Sequence, residues 1–99
     1  MTNRERFRKL TAGLKIPVMA APMFLVSGPE LLLSACRAGV IGAMPAANAR
    51  SVEILDRWLA EISETLNRES VTIPWILNTI VHRTYDRFEG ELELVKKYQ

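Results

Sequence analysis

The sequence predicts an α/β fold built from three consecutive β/α units around a parallel sheet. Three observations point there. From residue 15 onward, short apolar runs alternate with longer stretches of helical period; the runs lack polar alternation; and each is closed by proline or a polar turn. A strand with no alternation is one covered on both faces, as parallel sheets require.

The first run, residues 16–21, is entirely apolar and stops at Pro22. Ser27-Gly28-Pro29-Glu30 then puts a serine three residues before a glutamate, the spacing of a capping box. Pro29 sits in the first turn, where a missing N–H costs little, and Gly39 supplies the left-handed residue that ends many helices, so the first helix is expected over 28–38. Residues 40–44 form the second run, stopped by Pro45, and their small residues Gly42 and Ala43 suit a tight barrel interior.

The second helix opens near Asn48 or Ser51. Its apolar residues Ile54, Leu55, Trp58, Leu59, Ile62 and Leu66 recur at three and four, a stripe that must pack on a sheet. Glu53 with Arg57, and Arg57 with Glu61, are four apart and support its exposed face. After a polar connector at 67–70, residues 74–81 read as the third strand, apolar except at Asn78 and Thr79. A buried asparagine must find partners for its amide, so Asn78 either satisfies neighbouring backbone or faces a ligand. Residues 82–85 form the next loop, and helical character returns from Asp86 through Phe88, Leu92, Leu94 and Val95, weakened at Gly90 by about 1 kcal/mol relative to alanine.

At 99 residues, 48% hydrophobic and 24% charged, the chain is one domain or part of one. The net charge of +2 comes almost wholly from a basic segment over 1–14 and its border, where Arg4, Arg6, Arg8, Lys9 and Lys15 oppose only Glu5. Only Phe7 interleaves with these cations and no nucleic-acid motif follows, so a solvated leader before a domain over 15–99 is expected, without nucleic acid as a partner. The segment lacks the serines of a mitochondrial presequence, which leaves the cytoplasm as the expected compartment. The apolar region 16–49 is broken by Pro17, Pro22, Pro29, Glu30, Arg37 and Pro45, so no membrane span is expected. A single Cys36 excludes an internal disulfide and reads as a small buried helix residue.

In a β/α barrel the chemistry gathers at the C-terminal ends of the strands. Here those loops are residues 21–24, 44–48 and 78–85. The first two are apolar and nearly uncharged, which suits a flat aromatic cofactor or an apolar substrate. His82 has no partner histidine or cysteine, so no metal site is expected. Neither a Gly-x-Gly-x-x-Gly fingerprint, a phosphate-binding P-loop nor a Gly-x-Ser-x-Gly elbow occurs.

The string AAPM at 20–23, SGPELLLSACRAGVIGAMPAANAR at 27–50, WILNTIVHR at 75–83 and DRFEGELELVKKY at 86–98 resemble the nitronate monooxygenases, formerly 2-nitropropane dioxygenases. The resemblance spans about residues 14–99 and implies the first three βα units of an FMN-dependent (β/α)8 TIM barrel. It implies that Ala21, Pro22 and Met23 lie against the isoalloxazine and that Asn78 hydrogen-bonds the flavin. The implied reaction oxidises an alkyl nitronate with O2 to a carbonyl compound and nitrite. The family's catalytic histidine and phosphate-holding glycine loops lie beyond the third unit; His82 stands at the active-site end of the third strand but does not map onto that base. Related FMN barrels, including an enoyl-ACP reductase group, share small-residue patterns of this kind and give an alternative.

A complete barrel takes roughly 250 residues, and closure is what removes sheet edges. The three units alone leave the barrel incomplete, with an inner face drawn from Val18, Ala20, Ile41, Ala43, Ile76 and Asn78. The chain alone is therefore expected to be marginally stable, prone to self-association through open sheet edges, and unable to hold FMN tightly. A non-enzymatic half-barrel that pairs with another chain is the reading from a different class.

Overall fold

The computed structural model describes residues 1–98. Its longest helix, α3 (Val52–Arg68), organises the rest. The Ser51 hydroxyl caps it by accepting from the Ile54 N–H at 3.2 Å. The predicted stripe faces inward: Leu55, Leu59, Ile62 and Leu66 are buried, and Ile54 and Trp58 pack at its border. The helix forms the crossover between two parallel strands, β1 (Gly42–Pro45) and β2 (Trp75–Asn78), paired in the register Gly42–Trp75, Ala43–Ile76, Met44–Leu77 and Pro45–Asn78.

Helix α2 (Pro29–Ala38) precedes β1 and ends at Gly39, whose φ of 89° is the left-handed conformation expected there. Its Leu32, Leu33 and Cys36 join Met44 and the α3 stripe in one core. Burial pushes the Cys36 thiol pKa up, so this cysteine is an inert packing residue. A last helix, α4 (Phe88–Lys97), packs beside α3 and adds Leu94 to the core.

The expected three-stranded barrel sheet is corrected to a two-stranded one. The run at 16–21 contributes only an isolated parallel bridge, Met19 to Ile41, through Ala20 N–H to Ile41 O at 2.8 Å and Ile41 N–H to Val18 O at 3.1 Å. The reason is local. Pro17 has no N–H to give, the Val18 N–H turns back to Ile16 O, and no layer covers Ile16, Val18 or Met19, which are about half exposed. The run 74–81 likewise keeps strand geometry only over β2, because β1 ends at Pro45 and nothing pairs with residues 79–81; Val81 is 78% exposed. The bridge also sets a different face from the one predicted. Met19, rather than Val18 or Ala20, shares a side with Ile41, Ala43 and Ile76.

Two further differences concern helix starts. Gly28, not Ser27, is the N-cap of α2 and it provides no side-chain cap. The basic leader, in which no helix was predicted, contains α1 (Asn3–Thr11), started by a capping box in which Thr2 and Glu5 bond reciprocally. None of its residues is buried. The four-apart pairs predicted on α3 form no ion pair; the exposed ion pairs joining separate segments are Arg37–Glu69 and Lys97–Asp56.

Gly42 leaves no room for a side chain. A Cβ there would stand 2.5 Å from the Leu32 carbonyl oxygen and 3.1 Å from Cys36 Sγ, so backbone would have to move. Gly42→Ala is expected to destabilise the chain by about 1–3 kcal/mol, whereas Gly13→Ala, with open space around it, is expected to stay within about 0.5 kcal/mol. Urea unfolding of the two variants measures the difference.

Candidate functional site

Because the strands run parallel, the loops that leave them emerge on one side of the sheet. Such ends are where ligands bind in parallel α/β sheets. The candidate residues Ala21, Pro22 and Met23 leave the Met19–Ile41 bridge there, and Asn78 closes β2 opposite Pro45.

The loop 22–27 is rigidly tied. Its Met23 N–H donates to Ser27 Oγ at 2.8 Å, which explains why Ser27 does not cap α2. Asn48, in the 3-10 turn Ala46–Asn48 that follows β1, holds the same loop from across. Its Nδ2 donates to Met23 O at 3.0 Å and Ser27 O at 2.7 Å, and its Oδ1 accepts from the Leu25 N–H at 2.9 Å. Leu25 has φ 66°, a left-handed backbone rare for a bulky residue. The Asn48 bond helps hold that strain in place. Within this frame Met23, Phe24 and Leu25 are exposed, at 45, 68 and 80%.

Asn78 is exposed as well, and among the described residues its amide makes no side-chain hydrogen bond, so it does not satisfy neighbouring backbone. His82 is also exposed. Its Nδ1 accepts from the Thr84 N–H at 3.2 Å and lies 2.8 Å from the Thr84 hydroxyl, which assigns the ring proton of the neutral form to Nε2. No hydrogen bond joins Asn78 or His82 to the Met23 loop directly; what they share is the side of the sheet.

The residues that sequence reasoning missed lie beneath this surface. Glu91, on α4, is fully buried. A buried carboxylate is costly unless paired and hydrogen-bonded, and Glu91 accepts from the hydroxyls of Thr79 and Tyr85 and pairs with Arg87, whose Nε lies 3.1 Å from Oε2. That last contact falls outside hydrogen-bond geometry: the charge is met, but the Nε–H is not. Arg87 donates its other nitrogens to Ala49 O at 2.7 Å and Ala46 O at 3.3 Å. The turn that carries Asn48 is thus tied to the same carboxylate as the residue next to Asn78. Helix spacing was the available signal. Glu91 lies three and seven residues before Leu94 and Tyr98, in line with the buried face of α4, and four after Arg87.

Comparison of the chain with protein-family models, with curated proteins and with solved structures finds no match. The site therefore stands on its own geometry. A cleft of about 520 Å³ lies elsewhere, against residues 71–75 at the opposite end of β2, between Leu59 and Leu66 of α3 and Val95 and Tyr98. The left-handed Ser70 (φ 55°) adjoins it at Val71, and Ser63 and Asn67 supply polar side chains to its lining. Among the described residues no group of three or more His, Cys, Asp or Glu could hold a metal, and no helix is long and apolar enough to cross a membrane.

Burial, then the hydrogen bond to Glu91, pushes the Tyr85 hydroxyl pKa from 10.0 up to about 12. A folded pKa above the unfolded one gives stability that is complete below about 10 and is lost as pH rises toward about 12. Wild type is therefore expected to lose stability against Tyr85→Phe across that window, read by urea unfolding at a series of alkaline pH values. Parallel pH profiles would contradict the buried contact.

Proposed function

We propose that the strand-end face meets the isoalloxazine ring of FMN, and that the chain is part of a flavin-dependent oxidoreductase of the nitronate monooxygenase kind. The observation that supports this most directly is the pairing of a rigid, exposed apolar loop at 22–25 with an unengaged Asn78 amide on one side of a parallel sheet. A flat ring with polar atoms along one edge needs that combination: an apolar floor and a few well-placed hydrogen-bonding groups. The backbone strain at Leu25 agrees with a functional surface, since such strain concentrates at ligand-binding positions.

FMN, when bound, supplies the electron transfer between an alkyl nitronate and O2 that yields a carbonyl compound and nitrite. The protein's share is positional. Ala21, Pro22 and Met23 exclude water from one face of the ring, Asn78 fixes its orientation, and Asn48 keeps the floor from shifting. His82, with Nε2 carrying the proton in its neutral form, can donate a hydrogen bond at the same side but is assigned no base role. A cytoplasmic enzyme acting on small nitronates is the setting we infer, in keeping with a single buried thiol.

A second reading, a non-enzymatic chain that pairs edge to edge with another copy or a different protein, draws support from exposed Met19, Ile76, Ile80 and Val81 along the sheet. The two separate in a flavin titration combined with sedimentation. The proposed function predicts saturable quenching of flavin fluorescence with a Kd of roughly 0.1–1 mM, similar for riboflavin and FMN because the face holds the ring and not the phosphate. Asn78→Ala is expected to weaken it by about tenfold, the scale of one hydrogen bond in a desolvated site. Concentration-dependent association with no quenching would favour the second reading.

A further inference from the structure

We propose that the buried Glu91–Arg87 pair is a positioning element that couples the three strand-end loops and holds the Asn78 and Met23 segments in one geometry. The connection can be followed atom by atom. Glu91 accepts from Thr79, the residue after Asn78, and from Tyr85, which closes the His82 loop. Its charge draws in Arg87. The Arg87 guanidinium donates to the carbonyls of Ala46 and Ala49, which bracket Asn48. Asn48 in turn makes three hydrogen bonds to the loop 23–27. The Glu91–Arg87 ion pair lies at the start of α4, and every other link is a side chain hydrogen-bonding across segments, so the loops share one support rather than three separate ones.

The chemistry explains the choice of groups. A carboxylate accepts at both oxygens, so one buried group serves Thr79 and Tyr85 together and still attracts a cation. Arginine has donors in a fixed fork, which lets one side chain meet the carboxylate and two backbone carbonyls at once; lysine cannot span that set. An apolar residue at 91 would pack against Leu94 but leave the Thr79 and Tyr85 hydroxyls and the Arg87 charge without their common partner. The role of the coupled loops as a flavin floor rests on the function proposed above. The coupling itself does not.

Continuity alone is not coupling, and a shared response is the test. Amide hydrogen exchange of the full chain reads it at Leu25, whose N–H bonds to Asn48 Oδ1, against Ile62 in the α3 core as reference. Loss of global stability lowers protection at both sites; loss of positioning lowers Leu25 alone. Glu91→Gln is expected to reduce the Leu25 to Ile62 protection ratio by about tenfold or more, whereas Glu69→Gln, in the exposed pair with Arg37, leaves it within about twofold. Should Glu91→Gln fail to fold, Arg87→Lys reports the same link, because it keeps the charge and loses the fork. A ratio within about twofold of wild type in the folded variants overturns the coupling, whatever flavin does. A fallen ratio in a protein that shows no flavin quenching upholds the coupling and instead overturns the flavin reading.

Discussion

A carboxylate removed from water has to be answered from within the protein, and Glu91 is the point at which this chain meets that requirement. Its charge brings Arg87, Tyr85 and Thr79 together, and through Arg87 it reaches the turn after β1. The end of β2, the loop after it, the start of α4 and the 3-10 turn are all segments with little regular hydrogen bonding of their own. Their common polar anchor is this carboxylate, and the apolar core formed by α2, β1 and α3 reaches the same turn through the buried Ala46 and Ala49 and reaches α4 through Leu94.

That anchoring explains how a small sheet can present an ordered surface. Two four-residue strands offer few ladder bonds, and the segment at 16–21 adds only a bridge. Regular structure alone would leave the strand ends loose. Directional side-chain bonds take its place: Asn48 fixes the first loop, including the left-handed Leu25, and Arg87 fixes the turn that carries Asn48. Specific polar networks of this kind set a geometry that packing by itself leaves open.

The sequence made the repetitive parts legible and the singular parts hard to read. Residues whose role repeats along a helix were plain: the α3 stripe from Ile54 to Leu66 and the Gly39 terminator occupy the expected places, and of the two starts left open for α3, Asn48 or Ser51, the cap is Ser51. The strands were overread, because apolar character shows that a segment can be buried but not that a neighbour exists to pair with it. The run 16–21 has one partner on one side, and residues 79–81 have none. Ser27 misled for a related reason. Its spacing to Glu30 fits a capping box, but the Met23 N–H, four residues earlier, claimed the hydroxyl first. The strand-end residues Met23 and Asn78 could be singled out by position in the βα pattern. Their supports were harder to read: helix spacing marks Glu91 and Arg87 on one face of α4, but nothing in the sequence links them or Asn48 to the strand ends until folding joins residues that lie 12 to 41 positions apart.

The claim that the strand-end face is the binding surface is tested most directly by mapping backbone amide shifts of the labelled chain as FMN is added. The account predicts changes confined to residues 21–25, 45–48 and 78–85, with Asn78 and Leu25 among the largest. Changes centred instead on Leu59, Trp75, Val95 and Tyr98, which line the cleft at the opposite end of β2, or no saturable change at all, would contradict it.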